Sequence, residues 1–275
     1  FKISYTFGLE PMQQYLIEFP DGRMQALSIA WDSRAEDQGG QRWFHLYPNE
    51  KINSKDELHW TKRTQNWNYM CADCHSTDVK KNYDEASNTY KTTWKEITVG
   101  CEACHGPGSE HIKQAKITGK EYSSGNLTAQ FIERNAVAWA IDPATGNAKR
   151  STPRTTDVEM QVCAQCHSRR GQIADGYKPG MNSHDYYRAA TLAPGLYHAD
   201  GQQRDEVYIS GSFEQSKMYK AGVTCSDCHD PHTQKLKAEG NAVCAGCHLP
   251  AKYDSVTHHR HPQGSTGAQC ANCHM

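Results

Sequence analysis

The stretch "CSDCHDPH" (Cys225–His232) decides how the rest of the chain is read. Cys225 and Cys228 stand two residues apart, and His229 follows at once. A second histidine, His232, lies three residues further on, across Pro231. The first five residues recur as C-x-x-C-H throughout: Cys71/Cys74/His75, Cys101/Cys104/His105, Cys163/Cys166/His167, Cys225/Cys228/His229, Cys244/Cys247/His248 and Cys270/Cys273/His274. These six pairs use all 12 cysteines of the 275-residue chain.

C-x-x-C-H is the attachment motif of c-type haem. Its two thiols form thioethers to the vinyl carbons of one porphyrin edge, and a three-residue step on a helical turn sets both sulfurs on one side. The next imidazole reaches under the ring as the proximal iron ligand. Zinc sites, redox dithiols and disulfides also use C-x-x-C. Zinc would require pairs of motifs to converge, and none of the three requires histidine after the second cysteine. With 15 histidines in 275 residues, six in six by chance is on the order of 10⁻⁸. The sequence therefore predicts six covalent haems. Because haem c is attached on the outer side of the energy-conserving membrane, it also predicts an exported protein, periplasmic or at the cell surface or exterior.

The composition agrees. Hydrophobic residues make up 37% of the chain, and the net charge is -1. That is lean for an ordinary aliphatic core, as expected where porphyrin plates fill the middle. Near-neutral charge argues against a nucleic-acid partner. No run of 18 or more apolar residues reads as a transmembrane segment. The chain opens on Phe1, with no visible signal peptide, and so reads as a processed or truncated product.

Residues 1–70 carry no motif and form a haem-free, β-containing section. "YLIEF" and "MQALSIAW", within 14–31, predict a hairpin turning at Pro20-Asp21-Gly22. "ISYTF" (3–7) predicts a third strand, and "QGGQRWFHLYPNE" (38–50) an aromatic loop. Residues 71–275 read as one continuous six-haem region. The intervals 106–162 and 168–224 show no internal repeat. A capping box at Thr156–Glu159 predicts a helix into His167, and apolar spacing predicts another over 127–140. The fold expected is mostly loops and short α-helices wrapped around haems, with a small N-terminal β-hairpin or sheet.

Nine histidines remain for distal ligation, more than six irons need: His45, His59, His111, His184, His198, His232, His258, His259 and His261. His111 and His232 follow their own motifs across a proline, which swings the second imidazole toward a different haem. "HHRH" (258–261) supplies one or two ligands, with His259 and His261 sharing a face if extended. His45, His59 and His198 are further candidates, and His184 reads equally as part of a polar loop. Met70, Met160 and Met218 read as packing. Bis-histidine, low-potential haems and no catalytic residue are expected.

Beyond the motifs, "CEACHGPGSEH", "CAQCHSRRGQI", "LYHADGQQRDEVYISGSFEQSKMYKAGVTCSDCHDPH" and "HHRHPQGSTGAQCANCHM" resemble exported multihaem c-type cytochromes. "YTFGLEPMQQYLIEFPDGRMQALSIAWDSR" and "GGQRWFHLYPNE" extend the resemblance over nearly the whole chain. The closest kind is the cytochrome core of bacterial proteins that also carry tetratricopeptide repeats, distantly similar to the cytochromes that work with hydroxylamine oxidoreductase. Such proteins have further haem motifs before a segment like residue 1 and helical repeats after one like residue 275.

The resemblance implies electron transfer, with other redox proteins or cytochromes as partners. Self-assembly into a filament or oligomer is compatible with it. The competing function is a multihaem reductase or oxidase of a small nitrogen or sulfur compound. It would need one open iron, with Lys217, Tyr219 and Lys220 as candidate proton donors and anion clamps. A calcium site on Asp200, Asp205 and Glu206 fits no EF-hand spacing.

Overall fold

The computed structural model describes residues 1–119, 125–190 and 192–275. The chain divides into two compact units, Phe1–Ala103 and Cys104–Met275. The first motif therefore shares a unit with the N-terminal strands.

In the first unit, β1 (Ile3–Phe7), β2 (Met12–Glu18), β3 (Met24–Ala26), β4 (Ile29–Asp32) and β5 (Arg42–His45) form one antiparallel sheet. β2 is central. It pairs with β1 on one side and with β3 (Leu16↔Ala26) and β4 (Met12↔Asp32) on the other. The run "MQALSIAW" is thus broken at Leu27-Ser28 into two strands. The segment 38–50 is not wholly loop: Trp43 pairs across the ladder with Trp31, adding β5 at the edge. Aromatic side chains suit such cross-strand positions, and that pairing is invisible in a local reading.

The Pro20-Asp21-Gly22 turn needs its glycine. Gly22 has φ +79°, and a Cβ there would fall 2.0 Å from the Tyr90 carbonyl oxygen. Leu16, Met24, Ala26, Trp67 and Ala72 form the core, with Tyr5, Phe7, Cys71 and Trp94 packed against it. Trp67 and Ala72 belong to α1 (Trp67–Met70) and α2 (Ala72–His75). The first motif is therefore anchored by the sheet. β6 (Tyr83–Asp84) and β7 (Thr89–Tyr90) form a small hairpin beyond it.

Asp32 shows how the sheet edge is held. It is 4% exposed, and Arg34 donates to both its carboxylate oxygens, at 2.9 and 2.6 Å. Those hydrogen bonds, with the charges of Arg34 and Arg42, hold the Asp32 carboxyl down at about 2. A carboxyl depressed in the folded state stabilises above its unfolded value of about 3.9, and that contribution is lost as pH falls through the folded value. We expect Asp32→Asn to lower the melting temperature at neutral pH. It should also flatten the fall in melting temperature between about pH 4 and 2, which melts across that range would measure.

The second unit is built from short elements. α3 (Glu102–His105) spans the join between the units and carries the second motif, and α4 (Ser109–Thr118) follows the Gly106-Pro107-Gly108 break. β8 (Trp139–Ile141) pairs with β9 (Ala148–Arg150). α5 (Val158–His167) carries the third motif, and β10 (Arg170–Gln172) pairs with β11 (Tyr187–Ala189). α6 (Ile209–Gln215), α7 (Lys217–Lys220) and α8 (Cys225–Cys228) lead into the fourth motif. β12 (His229–Asp230) pairs with β13 (Lys235–Leu236). α9 (Ala242–Ala245), α10 (Pro250–Tyr253), α11 (Val256–His259) and α12 (Ala271–His274) close the chain. Strands are thus not confined to the N-terminal section.

Of the two helices expected, the one running into His167 is present but capped differently, and the other is absent. Residues 127–140 form no helix: Ala136 takes φ +55°, and the segment ends in β8. Its apolar residues follow scattered contacts instead. Phe131 packs edge-on to His105, and Trp139 Nε1 donates to Asp227. α5 begins at Val158 rather than through a box on Thr156. The Glu159 carboxylate that would close the box accepts instead from the Ser226 amide and hydroxyl, at 2.6 and 2.9 Å.

Candidate haem centres

Each C-x-x-C-H pentapeptide lies on a helical turn closed by its own backbone. His75 N donates to Cys71 O, His248 N to Cys244 O and His274 N to Cys270 O, all at 2.9–3.1 Å. The one-turn step brings both sulfurs of a motif to one side. Thr224 and Asp227 form a capping box on the fourth motif. No motif cysteine is fully buried.

The attachment residues are not all interior, as a haem-filled middle would have them. Cys101, Cys104 and Cys273 are exposed, and the other nine cysteines are half-buried. Cys273 differs from its motif partner for a local reason. The Cys270 amide donates to Asn241 Oδ1 at 2.9 Å, which holds the start of the turn against the chain around α9. The Cys273 amide donates within the motif, to Cys270 O at 3.3 Å. The sixth motif thus has one half-buried and one exposed cysteine.

Redox dithiols need a lowered pKa, and several of these thiols are pushed the other way. Burial pushes Cys71 up to about 11, helped by Cys74, and pushes Cys244 up to about 11, helped by Cys270. A hydrogen bond with Cys225, and burial, hold Cys163 far above the ordinary thiol range. Cys225 moves down, through Cys163 rather than through its own motif partner. Haem attachment would convert these sulfurs to thioethers.

The same contacts order the motifs within the second unit. Cys104 lies within electrostatic reach of Cys163, and Cys163 contacts Cys225. Cys228 neighbours both Cys244 and Cys247, and Cys244 contacts Cys270. Met160, buried behind this series, sets its sulfur 3.6 Å from that of Cys225. Burial and the nearby Cys166, Cys104 and Cys163 push the Tyr177 hydroxyl up to about 12.

Two histidine pairs have a ring spacing compatible with axial ligation of one iron. His105 and His232 have ring centres 6.0 Å apart and planes 4° from parallel. His258 and His274 stand at 6.2 Å and 13°. A metal–imidazole bond of about 2 Å on each side, with ring centres about 1 Å beyond the nitrogens, puts two imidazoles on one iron about 6 Å apart. The residues present therefore fit a bis-histidine haem. His258, which the sequence reading does not single out from "HHRH", is the one that faces His274. Nothing in one-dimensional spacing separates it from His259 or His261.

Tautomers sort the other candidates. A ring that binds iron through Nε2 keeps its proton on Nδ1 and donates it. His111 Nδ1 meets the Gly125 carbonyl at 3.0 Å, and His248 Nδ1 meets Asn147 Oδ1 at 2.9 Å. Both have the tautomer that binds iron. His45 Nδ1 instead accepts from the Tyr47 amide at 3.0 Å, and His59 Nδ1 from the Thr61 amide at 3.4 Å. His259 Nδ1 accepts from the His261 amide at 3.2 Å, and its Nε2 lies 3.3 Å from Gln263 Oε1. These contacts put the ring proton of His45 and His259 on Nε2, whereas His59 Nδ1 also meets the Thr61 hydroxyl at 2.8 Å, a group that can donate or accept. The His261 ring packs over Gly267. His198 and His184 are exposed, His198 in a loop closed by its backbone to Gln202 and Gly201.

The remaining candidates do not converge. Lys217 and Lys220 are exposed, whereas Tyr219 packs under the Arg154 guanidinium at 4.2 Å. Asp200 accepts from Gln202 with both oxygens, and Asp205 accepts from the Glu206 amide. Among the described residues no group of three or more His, Cys, Asp or Glu side chains is disposed to hold a metal ion directly. Among the described residues, too, no helix is long and apolar enough to cross a membrane.

Comparison with known proteins bears on the same stretches. Residues 31–106, with the first two motifs, match the family described as cytochrome c554 and c-prime. Residues 217–253, with the fourth and fifth, match the doubled CXXCH motif. The chain is 25% identical over 167 residues to the multiheme cytochrome MtrA of Shewanella baltica, covering 58% of this chain and 45% of that protein. It is 26% identical over 200 residues to cytochrome c-552 of Haemophilus influenzae, covering 64% of this chain and 33% of that protein. The chain thus spans less than half the length of the curated relatives it matches. No solved structure matches it. In its repeated C-x-x-C-H turns and in these partial matches the chain is similar to multihaem c-type cytochromes.

Proposed function

We propose that the chain is an exported electron conduit holding six covalent haems, mainly bis-histidine ligated. The observation that carries the reading is the near-parallel pair His105 and His232, 6.0 Å apart. An iron held between two imidazoles has no open position for substrate. Bound haem would supply an iron that changes between ferric and ferrous states.

The chain's own residues do the rest. The cysteines fix each porphyrin edge, Cys270 and Cys273 that of the sixth haem. The motif histidines His75, His105, His167, His229, His248 and His274 are the proximal ligands. His232 is the distal partner of His105, and His258 that of His274. His111 has the tautomer for a third such role. The contacts from Cys104 through Cys163, Cys225, Cys228 and Cys244 to Cys270 support attachment sites that neighbour one another in chain order. Its partners would be other redox proteins, in a periplasm or at the cell exterior.

Mass and pyridine haemochrome should count six haems per chain, and ferric EPR and near-infrared magnetic circular dichroism should be dominated by low-spin, bis-histidine signals. Two or more high-spin irons that shift on adding nitrite, hydroxylamine or sulfite would overturn the conduit and favour the reductase.

A further inference from the structure

The turn between β8 and β9 touches an axial histidine that lies a hundred residues further along the chain. Asn147 Oδ1 sits 2.9 Å from His248 Nδ1. The contact is built rather than incidental. Asn147 and His248 form an antiparallel bridge, flanked by Ala148 N donating to Cys247 O at 2.7 Å and Leu249 N donating to Gly146 O at 2.8 Å. Asp142 and Lys149 close the hairpin with an ion pair of 2.9 Å.

The amide is also locked from behind. Asn147 Nδ2 donates to the Tyr253 hydroxyl at 3.0 Å, and that hydroxyl donates to Thr145 O at 2.9 Å. The nitrogen therefore points at Tyr253 and the oxygen at the imidazole. The Tyr253 ring meets His248 edge-on at 5.5 Å and His258 edge-on at 5.3 Å. One tyrosine thus bears on histidines belonging to the fifth and sixth centres.

Outer-shell acceptors of this kind fix which nitrogen of a ligating histidine carries the proton, and they raise its basicity. A more basic axial ligand favours the ferric state, which lowers the reduction potential. We propose that Asn147 is a positioning residue for His248. Its amide oxygen holds the Nδ1 proton, turns Nε2 toward iron and lowers the potential of the haem at Cys244/Cys247, and Tyr253 locks the amide in place. This rests on the reading of His248 as an iron ligand.

The test is a redox titration of the intact haem-loaded protein, followed optically and by EPR. Asn147→Leu removes the acceptor and should raise the midpoint of one haem, leaving the others at their wild-type values and the haem count unchanged. Asn147→Asp supplies a stronger acceptor and should lower the same midpoint. Tyr253→Phe frees the amide and should give a smaller upward shift. A role in packing alone would move the Leu and Asp variants in the same direction, or move neither, and either result would sink the proposal. Should Asn147→Leu fail to assemble, the opposed shifts of the Asp and Phe variants decide. Failure of the underlying ligation looks different: the wild-type protein itself would then show high-spin iron at this centre.

Discussion

Replacing His232 with alanine is expected to leave every haem covalently attached and to convert one equivalent of iron per chain from low to high spin. The substitution touches no thioether and no proximal histidine, so haem count and mass should match wild type. What it removes is the imidazole facing His105. The side chain is 79% exposed, and the backbone that presents it is fixed elsewhere. His229 and Asp230 pair with Leu236 and Lys235 across the β12–β13 hairpin, and Asp230 accepts from the His232 amide at 3.0 Å. The hairpin should therefore survive, with a destabilisation within about 0.5 kcal/mol, as for a surface site.

His259→Ala is the matching control. Its Nδ1 is taken by the His261 amide, and its loss should leave the spin state unchanged. Ferric EPR and near-infrared magnetic circular dichroism read both variants. A His232→Ala protein with every iron still low spin would remove His232 from the ligand set.

Asn68→Ala is expected to be the most destabilising single change in the first unit, by about 2–4 kcal/mol. Asn68 is fully buried. Its Oδ1 accepts from the Met24 amide at 2.6 Å, and its Nδ2 donates to Gly22 O at 3.2 Å and Thr92 Oγ1 at 2.8 Å. Three parts of the unit therefore close on one amide: the hairpin turn, the helix leading to the first motif, and the segment after β7. Alanine strands a buried donor and acceptor that water cannot reach, and opens a cavity as well. Urea denaturation followed by far-UV circular dichroism measures the loss. A change below about 0.5 kcal/mol, typical of an exposed site, would show that the network is dispensable.

What could be read in the sequence was what is local. C-x-x-C-H spans five residues and closes on its own turn, so the motifs and their turns follow from spacing. How deep each sulfur lies does not follow from it: Cys273 stands exposed while Cys270, three residues earlier, is half-buried. The Pro20-Asp21-Gly22 turn is equally local, because glycine supplies the positive φ there. The helix expected over 127–140 failed because the apolar spacing recorded burial rather than conformation. Phe131 and Trp139 are drawn to His105 and Asp227, far apart in the chain. β5 was hidden because its reason for being a strand is Trp31, in another strand. The choice among His258, His259 and His261 turns on which ring nitrogen a neighbouring amide occupies, and neighbours of that kind exist only in the folded chain.

The short span of each motif has a consequence for how such a chain is made. The five residues of a motif are contiguous, so its two thiols and its histidine lie within reach of one haem before anything distant has folded. Attachment can therefore run along a chain still without tertiary structure. The facing imidazole cannot be supplied so early, since His105 and His232 lie 127 residues apart. On the ligation proposed here, the iron at Cys101/Cys104 would begin five-coordinate and become six-coordinate only when that long loop closes. Its spin state would then record the moment at which His105 and His232 come together.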